Sequence, residues 1–240
     1  ILVFTLAILP KSNKESANLL QAEMPGPSFG KLTPKLGQTA RMLYIIYLVM
    51  TIITTIFLLF GGMNLFDSII YAMGAAGTGG FANKGLSVGY YDSRYIEMVL
   101  SVAMVLFGIN FNLYYFALIR SARESFKSEE LYWYLGIIGL AIVLIFINII
   151  NFYGNVGYSL IQSIFTVTSI ITTTGYVSAD YGNWPMLSRN ILLLLMFIGG
   201  SAGSTAGGFK VSRFLILFKT TVNHIKRVIN PRRVTITKID

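Results

Sequence analysis

The chain has 240 residues, of which 54% are hydrophobic and only 12% are charged. Soluble domains carry about 25% charged residues, so this composition predicts a membrane protein. The chain contains no cysteine, which excludes disulfide bonds, thiolate metal sites and cysteine nucleophiles. Because it starts at Ile1 within an apolar run, we interpret it as an internal part of a longer protein.

The net charge of +9 is concentrated in three stretches of the chain rather than spread evenly. Residues 11–41, 120–127 and 210–238 hold 16 of the 19 lysines and arginines. Loops rich in lysine and arginine stay on the cytoplasmic side of membranes. We therefore expect these stretches in the cytoplasm, and we attribute the basic charge to membrane topology rather than to nucleic-acid binding.

The polar stretches of the chain are predicted to connect helices in the cytoplasm. Residues 1–9 have the composition of the end of a transmembrane helix. Residues 10–40 follow and contain four of the six prolines. Residues 121–130 form a second predicted connector. Residues 223–240 form a third, which would link to the next part of the longer protein.

The first complete unit covers residues 41–120. Its apolar segments 42–60 and 98–119 are each long enough to cross a bilayer, which takes about 20 residues. Between them lies the apolar segment 65–77, which as a helix reaches only about 20 Å across a core about 30 Å thick. We expect this short helix to enter and leave the membrane on the external side, because no cation-rich stretch adjoins it.

The second unit covers residues 131–222 and repeats the same order of elements. Residues 131–150 and 191–218 are its long apolar segments, and residues 158–172 are its short one. Internal repetition is a common building rule of transport proteins. Because both short helices would enter from the same side, the two units predict parallel repeats around a central pore axis.

The same motif, Thr-x-Gly-aromatic, follows the short helix of each unit. Residues 78–81 and 173–176 have this pattern and lie 95 residues apart. Potassium channels replace the water around K⁺ with backbone carbonyls from loops of the type TVGYG. Glycine and threonine are also common at helix contacts in membranes, but the two copies favour a pair of filter loops. The predicted filter residues are Thr78, Gly79, Gly80, Phe81, Thr173, Thr174, Gly175 and Tyr176. The K⁺ sites are predicted at Thr78, Gly79, Gly80, Thr173, Thr174 and Gly175.

A glycine-rich run at residues 199–208 interrupts the last apolar segment. Broken helices within membranes often form binding sites or gates. The alternative is a close helix contact through Gly203-x-x-x-Gly207. Lys210 follows the run, and it either has a role inside the membrane or extends toward the cytoplasm. The predicted gate residues are Gly199, Gly200, Ser201, Ala202, Gly203, Ser204, Thr205, Ala206, Gly207, Gly208 and Lys210.

No catalytic set of side chains is evident, so we do not expect an enzyme or a cofactor. The single histidine, His224, lies in a basic stretch, far in sequence from Ser201 and Ser204. Asp67 begins the first short helix, where an acidic residue suits the helix N-terminus. Gln162 has the equivalent position in the second unit.

Several segments of the chain match the motifs of one membrane-protein family. They are "AEMPGP" (22–27), "GGFANKGLSVGYYDS" (79–93), "TTTGYVSADYGNWP" (172–185), "GGSAGSTAGGFKVSR" (199–213) and "NPRRVTITKI" (230–239). Together they resemble the Trk/Ktr/HKT superfamily of potassium transporters, most closely its bacterial Trk-type uptake subunits. The resemblance covers nearly the whole chain.

The resemblance implies an all-α membrane protein with tandem helix–pore-loop–helix repeats, as in potassium channels. Such proteins have four repeats around one pore, and this chain would hold the end of the first, the second and third, and the link to the fourth. The filter glycines of the family correspond to Gly80 and Gly175, and its intramembrane gate corresponds to residues 199–208.

The same resemblance implies K⁺ uptake across the cell inner or plasma membrane, in contact with membrane lipid. It also implies a homodimer and a cytoplasmic nucleotide-binding regulatory subunit. A sodium-permeable or sodium-coupled member of the superfamily is the alternative, because half of the filter would lie outside this chain. A carrier for a small organic solute is less favoured, since it would need a buried charged partner and only Lys210 comes near the membrane interior.

Overall fold

The computed structural model describes residues 36–119 and 128–229. The predictions for residues 1–35, 120–127 and 230–240, which include the preceding helix end and most of the connectors, lie outside the described residues. Within the described ranges the regular elements are helices, which confirms the predicted all-α class.

The helices follow one another in the order long, short and broken, and this order occurs twice. In chain order they are α1 (Leu36–Phe60), α2 (Leu65–Ala76), α3 (Arg94–Phe107), α4 (Phe111–Ile119), α5 (Glu129–Tyr153), α6 (Val156–Ile171), α7 (Met186–Phe197) and α8 (Val211–Ile229). Two short 3-10 helices, Ser87–Tyr91 and Tyr181–Asn183, lie in the loops that precede α3 and α7.

Helices α1 and α5 are long and apolar enough to cross a membrane, and α3 with α4 forms a third span if the bent pair is counted as one. This count applies to the described parts of the chain. Helices α2 and α6 have 12 and 16 residues. At about 1.5 Å per residue they cannot cross a hydrocarbon core about 30 Å thick, as the sequence predicted.

The prediction of a single transmembrane helix over residues 98–119 was wrong. Helix α3 ends at Phe107, and the axis of α4 is turned by 84°. Gly108 ends α3, and its amide donates to the carbonyl of Met104 at 2.9 Å. The side-chain oxygen of Asn110 accepts the amide of Asn112 at 3.0 Å, a local bond that competes with helix continuation. The apolar composition continues through this break, so hydropathy alone does not reveal it.

The helix bounds also differ from the predicted unit boundaries. Helix α1 begins at Leu36, before the boundary at residue 41. Helix α5 begins at Glu129, within the segment assigned to the connector 121–130. Helix α8 continues to Ile229, past the boundary at residue 222.

Each unit has a buried apolar cluster of its own, and a third buried cluster joins the two units. Helix α6 packs against α5 of its own unit and against α3 of the other. Tyr71 of α2, Phe165 of α6 and Tyr176 share one buried cluster. In contrast, the outer faces of α1 and α5 expose large apolar side chains such as Phe57 and Ile147. Apolar outer faces of this kind suit contact with lipid, and the shared core holds the segments after α2 and α6 close together.

Candidate functional site

Both short helices begin with an asparagine cap. The Oδ1 atom of Asn64 accepts the amide of Asp67 at 2.7 Å, and the Oδ1 atom of Asn155 accepts the amide of Tyr158 at 3.0 Å. Asparagine is a favoured cap because its side chain satisfies a free amide of the first turn. The expected cap role of Asp67 therefore belongs to Asn64, and the Asp67 carboxylate has other partners.

The predicted filter segments share one backbone conformation. The first and third residues have positive φ angles, 47° at Thr78 and 63° at Gly80 in one segment, and 56° at Thr173 and 82° at Gly175 in the other. Positive φ is uncommon for threonine, so the surrounding structure must hold it. When residues alternate between right-handed and left-handed backbone conformations, successive amide groups point to one side of the chain. The carbonyl oxygens then point to the other side.

The amides of both segments are bound to the end of the preceding short helix. The amides of Gly79 and Gly80 donate to the carbonyl of Gly74 at 2.8 and 3.3 Å. Those of Thr174 and Gly175 donate to Ser169 at 3.0 and 3.2 Å. Among the described residues, no hydrogen bond ends on the carbonyl oxygens of residues 78–80 or 173–175. These oxygens are therefore available to a ligand.

The two segments lie side by side. A methyl group placed on Gly80 would come within 2.0 Å of the carbonyl oxygen of Thr174. A methyl group on Gly175 would meet nothing within 4 Å. Only glycine at position 80 permits this close approach of the two backbones, which brings the free oxygens of both units to one place.

Tyr176 and Phe81 differ in their surroundings although they occupy equivalent positions. Tyr176 is buried, its ring stacks on Tyr71 with centroids 5.4 Å apart, and its hydroxyl donates to the carbonyl of Tyr71 at 2.8 Å. Phe81 is 75% exposed in this chain. The carbonyl of Phe81 lies 3.3 Å from the Tyr176 hydroxyl, and the carbonyl of Tyr176 accepts the Ser169 hydroxyl at 2.7 Å. Both carbonyls are already hydrogen-bonded, so these two aromatic residues stand apart from the residues with free oxygens.

Beyond the filter segments, an acidic or amide side chain from each short helix holds the following loop. The Asp67 carboxylate, in a residue only 2% exposed, accepts the Tyr91 hydroxyl and the Asn83 amide, and Lys84 Nζ lies 3.8 Å away. Burial and the hydrogen bond to Asp67 raise the pKa of Tyr91, so the phenol stays protonated and donates.

Gln162 makes the equivalent contact in the second unit. Its Oε1 atom accepts the Ser178 hydroxyl at 2.6 Å, and its Nε2 atom donates to Glu97 at 3.0 Å. The Asp67–Asn83 and Gln162–Ser178 pairs each join residues 16 apart in sequence. In both units, the loop after the filter segment is therefore held by a side-chain hydrogen bond from the short helix at the equivalent position.

Residues 199–210 form a closed loop between α7 and α8, which we name the glycine loop. A parallel bridge pairs Ile198 with Phe209 at its neck, where the Gly199 amide donates to Phe209 at 2.9 Å. The loop is not helical, so the alternative of a helix contact through Gly203 and Gly207 was wrong. The predicted interruption of this helix is confirmed in position.

Several glycines of the glycine loop have no room for a side chain. A methyl group on Gly199 would lie 1.9 Å from the Gly207 carbonyl oxygen, and one on Gly200 would lie 2.6 Å from the Ala206 methyl. Gly203 has a φ of 70°. This compactness explains why the run is so rich in glycine.

The glycine loop docks onto the break between α3 and α4. The amide of Ser201 donates to the carbonyl of Gly108 at 2.9 Å, and the amide of Phe111 donates to the carbonyl of Gly203 at 3.1 Å. A break inside a membrane helix frees backbone groups that need partners. The loop of one unit supplies them to the broken helix of the other.

The far side of the glycine loop touches both filter segments. The Thr78 hydroxyl donates to the Thr205 carbonyl at 2.9 Å, and the Thr173 hydroxyl accepts the Gly207 amide at 2.7 Å. The loop therefore lies directly against the first residue of each segment, at the end nearer the short helices.

Two charged side chains adjoin the glycine loop. Lys210 is partly buried, and its Nζ atom donates to the Ala206 carbonyl, so it bends back onto the loop. Glu130 is 6% exposed, and its Oε1 atom accepts the Ala202 amide at 2.6 Å. The sequence prediction placed Glu130 in a connector and missed it. The available signal was an acidic residue directly beside a long apolar run.

Comparison with known proteins shows the family of the chain. A family model described as TrkH, cation transport protein, matches residues 1–146 and 140–240. The Trk system potassium uptake protein TrkH of Salmonella typhimurium is 35% identical over 244 residues, which cover 100% of this chain and 50% of that protein. The Trk system potassium uptake protein TrkG of Escherichia coli (strain K12) is 36% identical over 239 residues, which cover 97% of this chain and 48% of that protein.

A solved structure leads to the same family. The potassium transporter TrkH from Vibrio parahaemolyticus matches with a TM-score of 0.83 and 29% identity, over 99% of this chain and 50% of that one. The chain thus spans about half the length of the relatives it matches. Since the family model matches along the whole chain and the fold agrees, this chain belongs to the TrkH family of cation transport proteins.

Proposed function

We propose that the full-length protein is a pore-forming subunit for K⁺ uptake and that residues 78–80 and 173–175 line its selectivity filter. The observation that carries the proposal is the row of free carbonyl oxygens in two adjacent segments, whose amides are bound elsewhere. Backbone carbonyls replace the hydration shell of K⁺ in known filters. Similarity to potassium uptake proteins supports this choice of ion.

The electrostatics of the short helices favour a cation at this place. Helices α2 and α6 end directly before the two segments, and the C-terminal end of a helix carries partial negative charge. In the described ranges, no cluster of three or more acidic or histidine side chains is placed to hold a metal ion. Uncharged oxygens at the ends of two helix dipoles therefore remain as the ligands for a passing K⁺.

We infer that the glycine loop is the gate of this pathway. Its hydrogen bonds to Thr78 and Thr173, the first residues of the two segments, support this role. The filter threonines then take part in closing the pore, because their hydroxyl groups hydrogen-bond the loop. The amide of Ser201 and the carbonyl of Gly203 hold the loop against the break between α3 and α4, and these hydrogen bonds must open before the loop can move.

We further propose that the full-length protein lies in the cell inner or plasma membrane as a homodimer with a cytoplasmic nucleotide-binding regulatory subunit. The exposed apolar faces of α1 and α5 support a membrane location. The family resemblance supports the dimer and the regulator. Sedimentation of the purified complex in detergent would separate a dimer from a monomer.

Uptake of radioactive Rb⁺ into proteoliposomes that contain the full-length protein tests the K⁺ function. We expect uptake above that of empty liposomes, and we expect K⁺ to compete with Rb⁺ far better than Na⁺ does. Uptake equal to that of empty liposomes would contradict the pore assignment. Equal competition by Na⁺ and K⁺ would instead support the sodium-permeable alternative.

A further inference from the structure

Glu130 holds the glycine loop near its start and lies beside the residue that follows its end. Its Oε1 atom accepts the Ala202 amide near the start of the loop, at 2.6 Å. Ser212, just beyond the end of the loop, lies close to the same carboxylate. Glu130 belongs to α5, a helix on neither side of the break, so the carboxylate connects the loop to a third helix.

Burial of this carboxylate makes the contact a strong one. Glu130 is 6% exposed and Ser212 is 2% exposed. A buried carboxylate must be matched by hydrogen-bond donors, because its desolvation is otherwise costly. Ala202 is buried as well, so removal of the Glu130 side chain would leave the Ala202 amide without an acceptor, which is unfavourable in a buried place. The position of the loop therefore depends on the position of Glu130.

The residue before Glu130 ties α5 to α8. The Nζ atom of Lys219 lies 2.5 Å from Oε2 of Glu129. Both side chains are about one-third exposed, 29% for Lys219 and 33% for Glu129. Two consecutive acidic residues thus hold the loop and the helix that follows it, so α5, the loop and α8 meet at one junction.

We propose that Glu130 is a positioning residue that latches the glycine loop in its blocking position and that the Glu129–Lys219 pair couples this latch to α8. The inference rests on the proposed gate role of the loop. A displacement of α8 relative to α5 strains the carboxylate contacts to Ala202 and Ser212, and the loop is then released. A force applied to α8 from the cytoplasm in this way controls opening.

Single-channel recording of the full-length protein in planar bilayers tests the latch. We expect Glu130→Ala to raise the resting open-to-closed ratio by about tenfold or more, because it leaves the buried Ala202 amide without its acceptor. Glu130→Gln should raise the ratio less, because its carbonyl oxygen still accepts the Ala202 amide. The unit conductance and the K⁺/Na⁺ permeability ratio should stay unchanged, a combination that general damage to the fold would not produce.

Control variants distinguish a specific effect of the latch on gating from a general effect of lost packing contacts. Ser188→Ala removes a partly buried hydrogen bond of 2.7 Å to Asn148 of α5, away from the loop, and should leave the open-to-closed ratio unchanged. Lys219→Met should raise the ratio, and the charge exchange of Glu129→Lys with Lys219→Glu should restore it. An unchanged ratio in Lys219→Met would overturn the coupling to α8.

Glu130 variants made in a protein that lacks residues 201–206 distinguish the role of Glu130 as a latch from the role of the loop as a gate. If that deletion raises flux and Glu130→Ala adds nothing to it, the latch acts through the loop as proposed. If the deletion raises flux but Glu130→Ala and Glu130→Gln in the intact protein both keep the wild-type ratio, the latch is wrong and the gate stands. If Glu130→Ala fails to assemble, Glu130→Gln decides alone. A deletion that leaves flux unchanged overturns the gate, and the latch with it.

Discussion

Replacement of Gly80 by serine should lower the K⁺/Na⁺ permeability ratio of the full-length protein by about tenfold or more. The Cβ atom of the new side chain would lie 2.0 Å from the carbonyl oxygen of Thr174, so one of the two backbones must move. The residue also has a φ of 63°, which costs a non-glycine residue about 1–2 kcal/mol. A free-energy change of about 1.4 kcal/mol in ion discrimination corresponds to a factor of ten. The reversal potential in mixed K⁺ and Na⁺ solutions measures the ratio.

Two further glycine variants show whether the K⁺/Na⁺ ratio depends on the position of the substitution or only on the loss of a glycine. Gly175→Ser should lower the ratio less than Gly80→Ser, because its φ of 82° is strained but its side chain meets nothing within 4 Å. Gly85→Ser is the matched control, since Gly85 is exposed, has ordinary φ and has nothing within 4 Å. If Gly80→Ser keeps the wild-type ratio in correctly assembled protein, the filter assignment is wrong.

Deletion of residues 201–206 should raise the K⁺ flux of the full-length protein severalfold. The deletion removes the loop backbone that bonds the Thr78 hydroxyl and the Gly108 carbonyl. The parallel bridge between Ile198 and Phe209 needs a long connection between its two residues, so the deletion opens the neck of the loop as well. The initial rate of Rb⁺ uptake, corrected for the amount of reconstituted protein, measures the change.

The selectivity of the same deletion variant serves as its control. Because residues 78–80 and 173–175 are untouched, the K⁺/Na⁺ ratio should change much less than in Gly80→Ser. A flux that is unchanged or lower, in protein that assembles as the wild type does, would count against the gate. A large loss of selectivity without a gain in flux would show that the loop supports the filter instead of blocking the pathway.

The repeated order of helices and filter segments was predictable from the sequence, because each element has a signal in its own stretch of residues. Apolar segments of two lengths and the two Thr-x-Gly-aromatic motifs mark the same element order twice. The amide bonds to Gly74 and Ser169 then repeat at equivalent positions. The interruption at residues 199–208 was also predictable, since such a density of glycine does not sustain a helix.

The break at residues 108–110 could not be predicted from its neighbours in sequence. Gly108 and Asn110 are weak breaking signals, and many membrane helices contain glycine. What stabilises the break is the glycine loop, whose Ser201 and Gly203 lie more than 90 residues away in sequence. Glu130 was missed for the same reason. Its role depends on Ala202 and Ser212, which only the folded chain brings to it.

In the proposed filter, the carbonyl oxygens of residues 78–80 and 173–175 replace the hydration shell of a passing cation. A crystal structure of the full-length protein soaked with Tl⁺, a K⁺ mimic with strong anomalous scattering, is the decisive experiment. We expect anomalous density between the two segments, in contact with these oxygens and depleted by excess K⁺. Well-ordered segments without such density, with Tl⁺ bound instead at the Asp67 or Glu97 carboxylates, would contradict it.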